Sequence, residues 1–281
     1  MSFSPLANIR FNPSEAVNLR VSYAGGYRAP QAFDEDMHIA VVGGKRVRIR
    51  LADDLKEERS HSVSLSADLY HNFGRVQTNL LVEGFYTILD DVFALRDLED
   101  TDDGGKIKER YNGSGAAVRG FNVEGRAIFT RWFELQAGVT LQQSRYKEPE
   151  QWSEDADVPP VRRMFRTPDA YGYFTASFTP VRNFTADLTG TFTGSMLVQH
   201  MAGSGVAQDA AVSTPSFFDM NVRLAYDLRI YKEITLQLYG GVQNLFNAYQ
   251  KDFDKGADRD SGYIYGPSLP RSWFVGAKFS F

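Results

Sequence analysis

The stretch NFTADLTGTFTGSMLVQ, residues 183–199, alternates with a period of two. Phe184, Ala186, Leu188, Gly190, Phe192, Gly194, Met196 and Val198 are all apolar or small. Between them stand Thr185, Asp187, Thr189, Thr191, Thr193, Ser195, Leu197 and Gln199, polar almost throughout. Successive side chains of a strand point to opposite sides, so this is a strand with one dry face and one wet face. The pattern predicts an unbroken strand to about Val198, well beyond the usual length of about 5–6 residues. A fold that accepts such a strand needs a large one-sided sheet.

The same alternation recurs along the chain. Val63, Leu65, Ala67 and Leu69 oppose Ser62, Ser64, Ser66 and Asp68. Val76, Leu80, Val82, Tyr86 and Ile88 oppose Gln77, Asn79 and Glu83. Phe133, Leu135, Ala137, Val139 and Leu141 oppose Glu134, Gln136, Thr140 and Gln142. Phe218, Met220, Val222, Leu224, Tyr226 and Leu228 oppose Asp219, Asn221, Arg223 and Asp227. EITLQLYGGVQ and the terminal SWFVGAKFSF repeat it, and no long helical period appears. About eleven strands are predicted. Short connections (12–16, 71–75, 130–132, 180–183 and 229–233) alternate with long polar ones (29–57, 96–112, 145–167, 200–214 and 248–264). Sequential antiparallel strands then gather every short turn at one end and every long loop at the other.

Two architectures satisfy strict alternation. A soluble sandwich turns the apolar face into a core; a membrane barrel turns it out to lipid and lines its lumen with the polar face. Three features favour the barrel. The strands exceed the roughly 9–11 residues that cross a bilayer at a tilt. Their apolar faces carry no charge, as a lipid contact demands and a rinsed surface does not. One-sided long loops match short periplasmic turns and long extracellular loops. Trp132, Phe133, Phe184, Tyr226 and Trp273, near strand ends, fit interfacial girdles. A mean hydropathy of −0.34 is no objection, because a polar lumen dilutes the apolar belt. The expected fold is all-β, an antiparallel transmembrane β-barrel.

The last forty residues then resemble a known family. Gly241-Val242-Gln243-Asn244-Leu245-Phe246-Asn247, Tyr265-Gly266-Pro267, Pro270-Arg271 and a terminal Phe281 are similar to the end of TonB-dependent outer-membrane receptors, especially those of Bacteroidetes. SYAGGYRAPQAFDE (22–35) resembles that family's strand ending in aromatic-Arg-Ala-Pro at the outer rim. YNGSGAAVRGFNVEG (111–125) resembles its Gly-x-Glu-x-Glu-Gly strand, with Phe121-Asn122 departing from the commoner Val-Glu. The resemblance implies about 22 strands around a plug, so about eleven strands make the C-terminal portion. Residues 1–281 are therefore expected to be the C-terminal part of a receptor barrel, without its plug and N-terminal strands. Met1-Ser2-Phe3-Ser4-Pro5 has no signal-peptide pattern, so the chain is either cytoplasmic or a mature or truncated one, and the barrel pattern favours truncation. By the same resemblance the chain sits in the cell outer membrane and is coupled to the TonB energy complex through the plug. It takes up a large scarce ligand, a ferric siderophore or other iron chelate, or a corrinoid, with saccharide or peptide next. Phe281 is then the signal read by the barrel-assembly machinery. The alternative is a complete small outer-membrane barrel, a passive porin or a rim-site hydrolase; a soluble all-β binding domain is more distant.

Other chemistry is thin. No Cys exists, which removes disulfides and Cys-based zinc. A net charge of −4 argues against nucleic acid as a partner. His38, His61, His71 and His200 accompany no Gly-x-Ser-x-Gly elbow, and Gly43-Gly44-Lys45 does not complete a phosphate loop. Neither catalysis nor a cofactor is expected. Acidic runs make Asp100, Asp102, Asp252 and Asp254 weak calcium candidates, although Asp100, Asp102 and Gly104 complete no EF-hand and solvated surface is the simpler expectation. Ligand capture belongs on the long loops and the rim. The candidates there are Tyr27, Arg28, Gln31, Met37, His38, Tyr146, Trp152, Arg166, Tyr263 and Tyr265, because aromatic and Arg groups suit large anionic or planar ligands.

Overall fold

The computed structural model describes residues 3–30, 47–100, 106–153, 155–203, 205–231, 234–256, 259–260 and 262–281. Among the described residues there are 17 strands and no helix. Numbered in chain order, eleven form one antiparallel wall: β1 (Leu6–Ser14), β2 (Val17–Arg28), β4 (Glu58–Phe73), β5 (Val76–Asp90), β8 (Ala116–Thr130), β9 (Phe133–Glu150), β11 (Ala170–Phe178), β12 (Phe184–Thr193), β15 (Phe217–Tyr231), β16 (Ile234–Gln243) and β17 (Ser272–Ser280). Each wall strand pairs with the wall strands before and after it in the chain. The other six fall in the long connections: β3 (Val47–Leu51), β6 (Phe93–Asp100), β7 (Lys106–Asn112), β10 (Val161–Arg163), β13 (Leu197–His200) and β14 (Ala210–Ser213). β3, β7 and β6 build a separate small sheet, with β3 parallel to β7, and β13 pairs with β14. The long connections thus carry structure of their own.

The turns are as short as the sequence implies. Between β4 and β5 only Gly74 and Arg75 intervene, and Gly74 takes the left-handed conformation, φ 63°, that its missing Cβ permits. His71, which the sequence places in that turn, lies in β4.

Cross-strand register lays the side chains out in rows. One row runs Leu65, Gly84, Phe121, Leu141; the next away from the loops runs Ala67, Val82, Val123, Val139. These apolar rows are the open surface: Leu65 is 61% and Phe121 64% exposed. The opposite face is a hydrogen-bonded polar lattice. Ser62 and Thr87 hydroxyls meet at 2.9 Å, Thr140 donates to Asn122 at 2.8 Å, and Gln136 donates to Glu124 at 2.9 Å. Farther along, Ser177 donates to Asp187 at 2.9 Å, Arg223 to Gln237 at 2.9 Å, and Gln237 to Asp227 at 2.8 Å. A sandwich would bury its apolar rows. Here they are exposed while the polar face is laced with hydrogen bonds, which is the arrangement of a membrane wall. Of the buried hydrophobics, Ala52, Val158, Val198 and Tyr263 lie in the connections, and the wall contributes only the small Ala116, Ala176 and Ala225 among the described residues.

Aromatic side chains gather near strand ends. At the short-turn end Phe133 stacks on Phe178 at 4.6 Å and on Phe129 at 5.1 Å, with Trp132 beside it. Trp273 stands exposed near the loop end of β17.

Residues 183–199 are not one strand. β12 ends at Thr193, residues 194–196 leave the wall, and β13 enters the hairpin with β14. Met196 and Val198 therefore do not continue the lipid face; Val198 is fully buried among the loops. Gly194 permits the departure. Its N–H donates to the Ala170 carbonyl at 2.8 Å, and a Cβ there would lie 2.6 Å from that oxygen. The alternation ran on because a loop hairpin has the same period as the wall.

Candidate functional site

The loop end holds a cavity of about 390 Å³ between the β5–β8 connection, the tip of β9 and residues 199–201. β2 and β9 deliver Arg28 and Tyr146 to it from the polar side of the wall. Trp152 closes it from the connection after β9. Its walls are aromatic: Trp152 meets Phe165 edge to face at 5.3 Å, and the Arg28 guanidinium lies 4.9 Å over the Phe93 ring. Arg28 is held in place by Glu58, Nε to Oε2 at 2.7 Å. Arg110, nearly completely buried, stands 5.9 Å from the same Phe93 ring. Glu150, at the loop tip of β9, is half-buried, and burial raises its carboxyl above the usual range. Aromatic planes and guanidinium forks in one concave space can hold a planar or anionic group.

A second cluster ties two long connections together. His200 Nε2 lies 3.0 Å from each carboxylate oxygen of Asp254. The imidazole stacks on Tyr263 at 3.6 Å, and Tyr263 is only 4% exposed. The phenols of Tyr263 and Tyr265 donate to the two oxygens of Asp252 at 3.1 and 2.6 Å. Burial, then the Asp252 charge, pushes the Tyr263 phenol up to about 12, and burial with the Asp252 hydrogen bond raises Tyr265 as well. Burial works against the Asp252 carboxylate, but the donated bonds, Tyr265 first, hold it below the usual range. Arg166 donates to the Ile264 carbonyl at 2.7 Å and to that of Gly262. Gln250, almost fully buried, donates to Tyr263 O at 3.0 Å and accepts from Tyr265 N at 2.8 Å.

The ten ligand candidates therefore separate. Arg28, Tyr146 and Trp152 share the cavity. Arg166, Tyr263 and Tyr265 staple the connection after β16. Tyr27 pairs with Arg59 in register with the apolar rows and stands half-exposed on the outward side. Gln31, Met37 and His38 lie outside the described residues, as does Asp102; the Asp100 side chain does too. The calcium candidates Asp252 and Asp254 are engaged by the phenols and the imidazole. Among the described residues no group of three or more His, Asp or Glu side chains is placed to hold a metal. Sequence reasoning missed Phe93, Phe165, Glu150 and the His200–Asp254 pair. Only His200, a lone histidine at the edge of a polar loop, offered a signal.

The motif residues of the C-terminal stretch have a physical role. Asn244 adopts φ 52° just after β16, and its buried side chain accepts from Ala248 N at 2.8 Å and donates to Leu269 O at 3.0 Å. Asn247, φ 55°, accepts from Arg271 N at 2.9 Å. The two asparagines fold the long connection back to the start of β17.

A family model described as TonB dependent receptor-like, beta-barrel, matches residues 1–245. No curated protein matches the sequence. Among solved structures, the ferric-catecholate import receptor Fiu of E. coli K12 is 18% identical, with a TM-score of 0.62, over 97% of this chain and 34% of its own. A mutant of the ferric enterobactin receptor of Pseudomonas aeruginosa is 16% identical, with a TM-score of 0.67, over 98% of this chain and 39% of its own. The copper transporter OprC is 13% identical, with a TM-score of 0.66, over 99% of this chain and 39% of its own. The chain thus spans between a third and two fifths of the length of these structures.

Proposed function

The chain belongs to the family of TonB-dependent receptor-like β-barrels, and from that premise we propose that it supplies C-terminal wall and extracellular loops to a receptor that imports a large, scarce ligand. The family is one of outer-membrane transport receptors and not of enzymes. An iron chelate of the ferric siderophore class is the leading cargo, and a corrinoid the second. One observation carries this reading: an eleven-strand wall with its apolar rows outward and all its long connections gathered at one end. In an outer-membrane barrel that end is extracellular. The aromatic and cationic cavity lies there, where ligand would first be met. The solved structures described as ferric-catecholate and ferric enterobactin receptors support iron chelates over other cargo.

In this reading residues 1–281 are one part of the barrel, and the plug and the remaining strands complete it. The TonB energy complex acts on the plug, and the ligand passes along the polar face. Phe281 continues the outward parity of Trp273, Val275 and Phe279 and is fully exposed. That placement suits a terminal residue read by the barrel-assembly machinery.

The test is binding of ferric enterobactin, a second ferric siderophore and cobalamin to the receptor extracted from outer membranes, read by tryptophan fluorescence. The reading expects quenching by at least one iron chelate, with affinity weakened roughly tenfold in an Arg28→Ala, Tyr146→Ala variant that leaves every tryptophan in place. Quenching by none of the three overturns the cargo assignment. Quenching unchanged in the variant removes the cavity from the ligand path.

A further inference from the structure

The charges that line the cavity at the loop end are not alike. Three are cations, Arg28, Lys108 and Arg110, and one is a carboxyl, Glu150. Arg28 is already compensated, because Glu58 clasps it with both oxygens, Nε to Oε2 at 2.7 Å and Nη2 to Oε1 at 3.2 Å. Lys108 and Arg110 are not free either. Glu150 differs. Among the described residues no side-chain hydrogen bond or ion pair engages its carboxyl. Gly113 lies against it: a Cβ there would come within 3.6 Å of Oε2, and the missing side chain leaves that oxygen facing the cavity.

The two kinds of charge sit at different ends. Burial raises the Glu150 carboxyl, and no cation of the cavity offsets that rise. The guanidiniums of Arg28 and Arg110 gather at the Phe93 ring. Glu150 stands instead with Tyr111 and Tyr146, both close enough to feel its charge. A half-buried carboxylate with no partner is costly, because nothing replaces the water it has lost. A cation brought by a ligand would replace it. The nearby walls suit a cation too. Trp152 and Phe165 meet edge to face at 5.3 Å, with Tyr146 in the same cavity, and the negative face of an aromatic ring attracts an ammonium. At about 390 Å³ the space is small. It lies near the low end of the roughly 300–1,000 Å³ of pockets that enclose a whole small ligand, so a large chelate enters it by one arm.

We propose that Glu150 is the specificity-determining residue of this cavity and selects a ligand arm made of a planar ring that carries a protonated amine. The ring lies among Trp152, Phe165 and Tyr146, and the ammonium donates to the Glu150 carboxylate. The proposal rests on the reading that ligand is met in this cavity and adds what the ligand must present there. It does not depend on which metal the ligand holds.

Saturation-transfer NMR on the detergent-extracted receptor tests it with two probes of equal size, phenethylamine and 2-phenylethanol, each titrated separately at pH 7. The expected result is that the amine binds roughly tenfold tighter than the alcohol. Glu150→Gln makes the two equal. Glu148→Gln removes an exposed carboxylate two residues away and outside the cavity, and leaves the preference intact. Equal binding of amine and alcohol by the unmodified receptor overturns the proposal, with no variant needed. So does a preference that survives Glu150→Gln, or one that Glu148→Gln removes. Ferric-chelate quenching in the Arg28→Ala, Tyr146→Ala variant separates this result from the reading beneath it. If that variant weakens the chelate while the amine shows no preference, the proposal falls alone. If chelate binding is unchanged there, the cavity reading fails and takes the proposal with it.

Discussion

Tyr263, one of the candidate ligand contacts, is tied into the loops through its ring and its hydroxyl. Its ring is buried under His200 and its hydroxyl is committed to Asp252. The consequence is a pH window. Tyr263 has a folded pKa raised from 10.0 to about 12, so its contribution is complete below 10.0 and is lost as pH climbs from there through about 12. Asp252 has a folded value lowered from 3.8, so its contribution is complete above 3.8 and is lost as pH falls through the lower folded value. The staple should hold from just above the carboxylate range to the ordinary phenol range. The difference in tyrosinate absorbance between the native protein and Tyr263→Phe should titrate near 12. A difference titrating near 10 would mean that the buried bond to Asp252 does not form in solution. Nothing in the local sequence distinguishes this tyrosine from a rim contact. Its partners lie in other connections, and only the fold brings His200 beneath it.

At the scale of elements, the wall was legible and the connections were not. Wall strands alternate because one side meets lipid and the other a polar lattice, and that pressure acts on every residue of the strand. Thus Val63 to Leu69 and Phe133 to Leu141 declared their faces without help from the fold. β13 and β14 alternate as well, because a hairpin packed among loops also has an inside. Period alone could not separate β13 from β12; the separation rests on Gly194. β3, β6 and β7 come from two connections far apart in sequence, and their pairing leaves no local trace. In the turn after β16 the family resemblance marked Asn244 and Asn247, but their chemistry, a left-handed backbone closed by side-chain hydrogen bonds, is visible only in the fold. Asn244→Ala would force a Cβ-bearing residue without side-chain hydrogen bonds into φ 52° and strip the partners of Ala248 and Leu269. The expected loss is about 2–4 kcal/mol, measured by urea unfolding in detergent. Asn244→Gly keeps the backbone conformation and should lose less. Equal losses for the two variants would place the cost in the hydrogen bonds alone.

For the whole molecule, the account depends on which way the wall faces. An exposed apolar face backed by a hydrogen-bonded polar face is incompatible with a water-soluble sheet and is what a bilayer requires. Family membership agrees, and in an outer-membrane barrel the end that carries the long connections is the extracellular one. The chain has no Cys, so single cysteines placed in it are without background once any cysteines in the rest of the receptor have been replaced. The most direct test labels cysteines at Phe121, Asn122, Val123 and Glu124 in turn with a small fluorophore and reconstitutes the receptor into brominated lipid. Successive residues of β8 point to opposite sides, so labels at 121 and 123 should be strongly quenched and those at 122 and 124 should not. Uniform quenching, or quenching of 122 and 124 in place of 121 and 123, would contradict the membrane wall.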